Sequence, residues 1–197
     1  MSKHWIFAAG IIIGFSTLAA WRLATYTSDS VHYHANFTVY VNGERETFSA
    51  ETYYEETAGC SLDASANPTE RTHMHANMND LVHVHAPAVT WGHFFQNLGW
   101  GIGAGYLQTR EQLLVADSRH PLTYLLNGER LKNPGDLVIG SEDRLLVSYG
   151  TTDEAELTAQ FNSIASTAAE QNVTQDPASC GGTTSAGWRE RLEHILR

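Results

Sequence analysis

The chain has 197 residues and a formal charge of −10 at pH 7, with a mean hydropathy of −0.28. An acidic surface repels phosphate backbones and attracts cations, so nucleic acid is not the expected partner. The length suits one domain, and outside the N-terminus no run is apolar enough to be a second membrane span.

Residues 1–24 read as a membrane anchor or signal-anchor. The run from Trp5 to Trp21 carries no charged side chain, and a bilayer core asks for about 17–25 apolar residues in a helix. The two indoles stand at its ends, where headgroups favour them, and Arg22 can snorkel outward. The competing reading is a signal peptide cut at Ala20. It places Leu18 where a small residue is preferred, and the apolar run is longer than the usual cleaved segment. Gly10 and Gly14 form a single G-x-x-x-G, a weak helix-pairing signal. Lys3 and Arg22 flank the run on both sides, so charge alone barely orients it. Export is favoured by the two cysteines, Cys60 and Cys180, each in loop-like sequence. They suit a disulfide in an oxidising compartment better than a zinc site, with two unpaired thiols as the alternative.

Residues 25–30 are a polar linker, and 31–171 are expected to form an α+β domain. Val31 to Asn42 alternates for its whole length, which predicts a half-buried strand with Phe37 and Val39 inward and His32, His34, Asn36 and Thr38 outward. Asn42-Gly43 suits a tight hairpin turn, with Glu44 to Ala50 returning. Tyr53 to Arg71 reads as a loop, and His73 to Met78 as strand or loop. Asp80 to Ala86 is a second alternating strand. Thr90 caps a helix with Trp91, Phe94, Phe95 and Leu98 on one stripe, stopped by Gly99. Gly99 to Tyr106 misses the G-x-G-x-x-G spacing and predicts an extended segment with one bare face. Leu122 to Leu131 is a second hairpin turning at Asn127-Gly128. Leu137 to Ile139 and Arg144 to Tyr149 are short strands. Thr151 and Glu154 form a capping box for a helix carrying Leu157, Phe161, Ile164 and Ala168. Residues 172–197 read as a loop with Cys180 and a short amphipathic tail, Trp188 to Arg197, a candidate surface for an envelope protein partner. Two hairpins around a central helix suggest a β-grasp-like arrangement with an additional C-terminal helix; this pattern fixes no function.

Chemistry concentrates in the histidines. Six of the ten fall into His-x-His pairs: His32/His34, His73/His75 and His83/His85. In a strand, alternate side chains share a face, so each pair presents two imidazoles together. If the two clearly alternating strands are neighbours, His32, His34, His83 and His85 form one outer patch, which His73 and His75 from a loop and His93 at the helix start can join. Clustered neutral imidazoles bind Cu²⁺, Zn²⁺ or Ni²⁺. Asn79 and Asp80 are candidate oxygen ligands or ring-orienting acceptors, and Met74 and Met78 would favour reduced copper, although Met74 alternates to the opposite face. Structural or proton-sensing histidines are the alternative. No nucleophile motif, cupin-type Glu or evident general base accompanies the pairs, so catalysis by a His-ligated metalloenzyme is not the first expectation.

The ordered set VHYHANFTVYVNG, Cys60, THMHAN, LVHVHAPAVTWGHFFQNLG and YLLNGERL…SEDRLLVSYG resembles a family of small single-pass, His-rich bacterial envelope proteins. It covers residues 31–150. The resemblance implies an anchor followed by a compact domain and assigns no activity or ligand. The expectation is therefore a membrane-tethered, extracytoplasmic protein holding copper or zinc for storage, delivery or sensing. The alternative is an envelope interaction or assembly module.

Overall fold

Residues 3–25, 31–54, 68–75, 78–151 and 153–174 are described by the computed structural model. They fall into two units. The first contains helix α1, Lys3–Thr25, which is long and apolar enough to cross a membrane or to act as a signal sequence. Trp5, Phe7, Ile12 and Trp21 are all exposed along it. The Cys60–Cys180 pairing and the tail from Trp188 to Arg197 lie outside the described residues.

The second unit is mixed α and β. In chain order it runs β1 (Tyr33–Val41), β2 (Glu44–Arg45), a 3-10 turn (Glu51–Tyr53), α2 (Pro68–Arg71), β3 (Thr72–His73), β4 (Leu81–Val84) and α3 (Trp91–Asn97). It continues with β5 (Gly101–Gly103), β6 (Tyr106–Gln108), β7 (Leu113–Val115), β8 (Leu122–Leu126), β9 (Glu129–Leu131), β10 (Arg144–Tyr149), α4 (Glu154–Asn162) and α5 (Ala168–Val173). The main sheet is ordered β3-β4-β1-β10-β8-β9, with β2 also on β1, while β5-β6-β7 form a second sheet. β1 and β10 are parallel; β1–β4, β3–β4 and β8–β10 are antiparallel.

Both Asn-Gly turns form as their residues demand, with Asn42 and Asn127 at φ 52° and 54° and the glycines after them also positive. The returning strand β2 is far shorter than the run to Ala50 that the sequence suggests. One edge of β1 is shared: β4 pairs with Tyr33 to Asn36, leaving β2 only Tyr40 and Val41. The chain then departs from the sheet at Phe48, whose φ of 45° turns its ring into the core against Phe37 and Trp100.

One face of the sheet carries the main core. Phe37 meets Phe94 and Phe95 of α3 edge-on, with centroids 4.9 and 5.9 Å apart. Thr90 caps α3 as expected, and Gly99 ends it at φ 74°. The predicted strand at Leu137 to Ile139 is instead irregular and serves the helix start. Leu137 and Gly135 carbonyls accept from the N–H groups of Trp91 and Gly92. A side chain on Gly92 would meet the Gly135 oxygen at 2.7 Å. The bare glycine face further on is filled by Tyr106, whose ring lies where a Gly103 Cβ would be.

The other face, expected to meet solvent, is covered. Leu157 and Ile164 pack on Leu146, with Tyr40, Leu125 and Phe161 at the edge. The cap of α4 is Asp153, accepting from Ala155 and Glu156 N–H, and not Thr151, which is buried against Gln160 and Glu156. The predicted helical stripe breaks after Asn162 and resumes as α5. The chain thus lays Thr167 and Ala168 on Asn36: Asn36 Nδ2 donates to Thr167 Oγ1 and its Oδ1 accepts from Ala168 N. The boundary expected after residue 171 falls inside α5.

Candidate metal centre

The histidine pairs are placed by the strand register. His34 lies directly across from His83, and His83 directly across from His73, so β1, β4 and β3 set a row of three imidazoles side by side. The intervening Tyr33, Met74 and Val84 point to the opposite face, where Met74 and Val84 are wholly buried. His32, His75 and His85 extend the row above and below. Neighbouring ring centroids are 4.1 to 4.9 Å apart for His75–His83, His34–His83, His32–His34, His32–His85 and His73–His85.

Six of the seven candidate ligands therefore gather. His93 does not. It sits exposed on the first turn of α3, on the opposite side of the sheet, where its Nδ1 accepts from Thr90 N–H. His120 stands apart beside Asp117. The patch is also not wholly an outer one. His34 and His83 are each 1% exposed, His34 beneath Asn172 of α5 and His83 among the rings of its neighbours, while the other four histidines are half-buried. Asn79 and Asp80 orient no ring: Asn79 Nδ2 donates to Thr47 O, and Asp80 pairs with Arg45 at 3.4 Å. Met74 faces away, so no sulfur from it reaches the cluster.

The oxygen that does orient a ring comes from Asn172 of α5. Its Oδ1 accepts from His34 backbone N–H at 2.8 Å and from His34 Nδ1 at 2.9 Å. A backbone N–H can only donate, so Oδ1 is the acceptor and His34 carries its proton on Nδ1. His34 Nε2 then accepts from His83 Nδ1, 3.1 Å away. The chain Asn172–His34–His83 leaves Nε2 as the lone-pair atom of His83. A similar assignment holds on β3, where His73 Nδ1 donates to the Thr69 carbonyl at 2.8 Å and leaves its Nε2 as the lone-pair atom. That nitrogen faces His75 Nε2 at 3.3 Å. A tetrahedral ion with bonds of about 2.0–2.1 Å spaces its nitrogen ligands by about 3.3–3.4 Å.

Two triads have ligand atoms that all lie within 4.8 Å of one another: His32, His83 and His85, and His73, His75 and His85. Electrostatics keeps the central rings neutral and able to ligate. Burial, followed by the neighbouring His73 and His32, pushes His85 down to about 3. Burial, then His75 and His34, shifts His83 in the same direction. Beside the second triad, a cavity of about 360 Å³ is bordered by His73, Tyr53, Tyr54, Thr52, Thr69, Asn97 and Leu98.

No protein family, curated protein or solved structure matches the chain. The resemblance to single-pass envelope proteins rests on the sequence motifs alone.

Proposed function

We propose that the chain is a membrane-tethered, extracytoplasmic metal-binding protein that holds copper or zinc for storage, delivery or sensing. The observation that carries this reading is the alignment of three His-x-His pairs on adjacent strands into two triads of converging nitrogens. An all-imidazole donor set suits Cu²⁺ and Zn²⁺, and borderline ions of this kind are what neutral, buried rings select. The tether is supported by the length and apolarity of α1. For the frame, the order β2-β1-β10-β8-β9 with β1 parallel to β10 supports a β-grasp-like arrangement into which β3 and β4 are inserted.

Equilibrium dialysis of the full chain, extracted from membranes in detergent, tests the reading. Cu²⁺ or Zn²⁺ should be retained at neutral pH and lost when His83 and His85 are both replaced by Ala. Metal content unchanged by that double replacement would sink it.

A second reading, a His-ligated centre that acts on a small molecule, is favoured by one observation, the cavity against His73. Its volume is within the range of about 300–1,000 Å³ typical of ligand pockets. An exogenous anion such as azide that alters the spectrum of the bound copper would support it.

A further inference from the structure

We propose that His85 bridges two metal ions as an imidazolate, one ring nitrogen to each triad, so that the cluster is a dinuclear centre. This rests on the metal-binding reading above and extends it.

His85 is the ligand common to both triads. It follows β4, the middle strand of the three, so His32 approaches it from the β1 side and His73 and His75 from the β3 side. The two candidate centres thus lie toward different neighbours of one ring. An imidazole has two nitrogens on different edges, and in His85 both are buried with no hydrogen-bond partner. This contrasts with His34 and His73, each of whose nitrogens has a partner within 3.3 Å. A neutral ring necessarily carries one N–H, and a buried donor without an acceptor is costly. A single ion would satisfy one nitrogen and leave the N–H stranded. Two ions satisfy both.

The proton balance is simple. The first ion takes the lone pair of the neutral ring. The second displaces the remaining N–H proton, which leaves to solvent, and the resulting negative ring lies between the two cations and offsets their repulsion.

Electron paramagnetic resonance of the full chain in detergent, titrated with Cu²⁺ supplied as a glycine complex, tests this. The first equivalent should give a signal of one unpaired electron. The second should bind and lower the signal toward zero, because the bridge couples the two spins antiferromagnetically. His75→Ala, which removes one triad and leaves His85 in the other, should bind one ion with an undiminished signal. Saturation at one ion, or two ions with additive signals, would overturn the bridge and leave metal binding standing. Failure to retain Cu²⁺ would overturn the bridge, and failure to retain Zn²⁺ as well in parallel dialysis would overturn both.

Discussion

Single residues settle what the buried polar atoms of this domain do, and Tyr124 shows the accounting outside the histidine cluster. Its hydroxyl, almost wholly buried, donates to the Gly103 carbonyl at 2.9 Å and lies 3.3 Å from the Gly103 N–H. It thereby joins the main sheet to the second one, and burial raises its pKa far above that of a free phenol. Tyr124→Phe keeps the ring and removes that bridge, leaving both backbone groups of Gly103 short of this partner. We expect a loss of about 1–3 kcal/mol, the usual consequence of stranding buried polar groups, measured as a lower urea midpoint with an unchanged slope. An unaltered midpoint would show that the Gly103 groups find water.

Among elements, α5 matters more than its six residues suggest. It packs on β1 and carries Asn172, whose amide oxygen is the first member of the Asn172–His34–His83 chain. Asn172→Ala removes the acceptor for two His34 donors at once and frees the tautomer of His34, and through it that of His83. Loss of a residue that orients a metal ligand typically weakens metal affinity by about 10–100-fold. Competition with a chelator of known affinity should show a drop of that size, with the circular dichroism spectrum retained. Affinity equal to that of the parent would show that the ring orientation is held by the strands alone. The short β2 teaches a related lesson. Hairpin chemistry at Asn42-Gly43 specifies the turn, whereas the length of the returning strand depends on β4, whose arrival from 40 residues later takes the rest of the β1 edge.

For the whole molecule, the packed imidazoles make the metal-free fold acid-labile. The folded state holds His85 near 3 and shifts His83 downward as well, while the same rings in an unfolded chain titrate near 6.5. Between those values the unfolded chain binds more protons, so stability is complete above about pH 6.5 and declines as the pH falls toward 3. Thermal melts of the metal-free chain should therefore be level from about pH 8 to 7 and fall steadily below pH 6, with saturating metal raising the melting temperature most at neutral pH. A melting temperature that stays constant through pH 4 would contradict the burial of these rings. Much of this was legible beforehand. The alternation of Val31 to Asn42, the two Asn-Gly turns, the Thr90 cap and the three His-x-His spacings are local signals, and local signals report strands, turns and the face each side chain takes. That His32, His34, His83 and His85 would share one face needed only the strand period and the assumption of neighbouring strands, whereas the place of His73 and His75 beside them depended on the pairing of β3 with β4.

By itself the sequence determined the apolar N-terminal helix, the α+β class, the helix stripe of Trp91 to Leu98 and which residues of each strand face together, because each depends on a few consecutive side chains. Tertiary structure decided the rest. It alone brought β3 and β1 to opposite sides of β4, left His93 on the far face, buried His34 and His83 within the histidine patch, and supplied Asn172 from 138 residues beyond His34. The physical reason is that register and the packing of α5 are set by long-range burial, which no short window of sequence encodes.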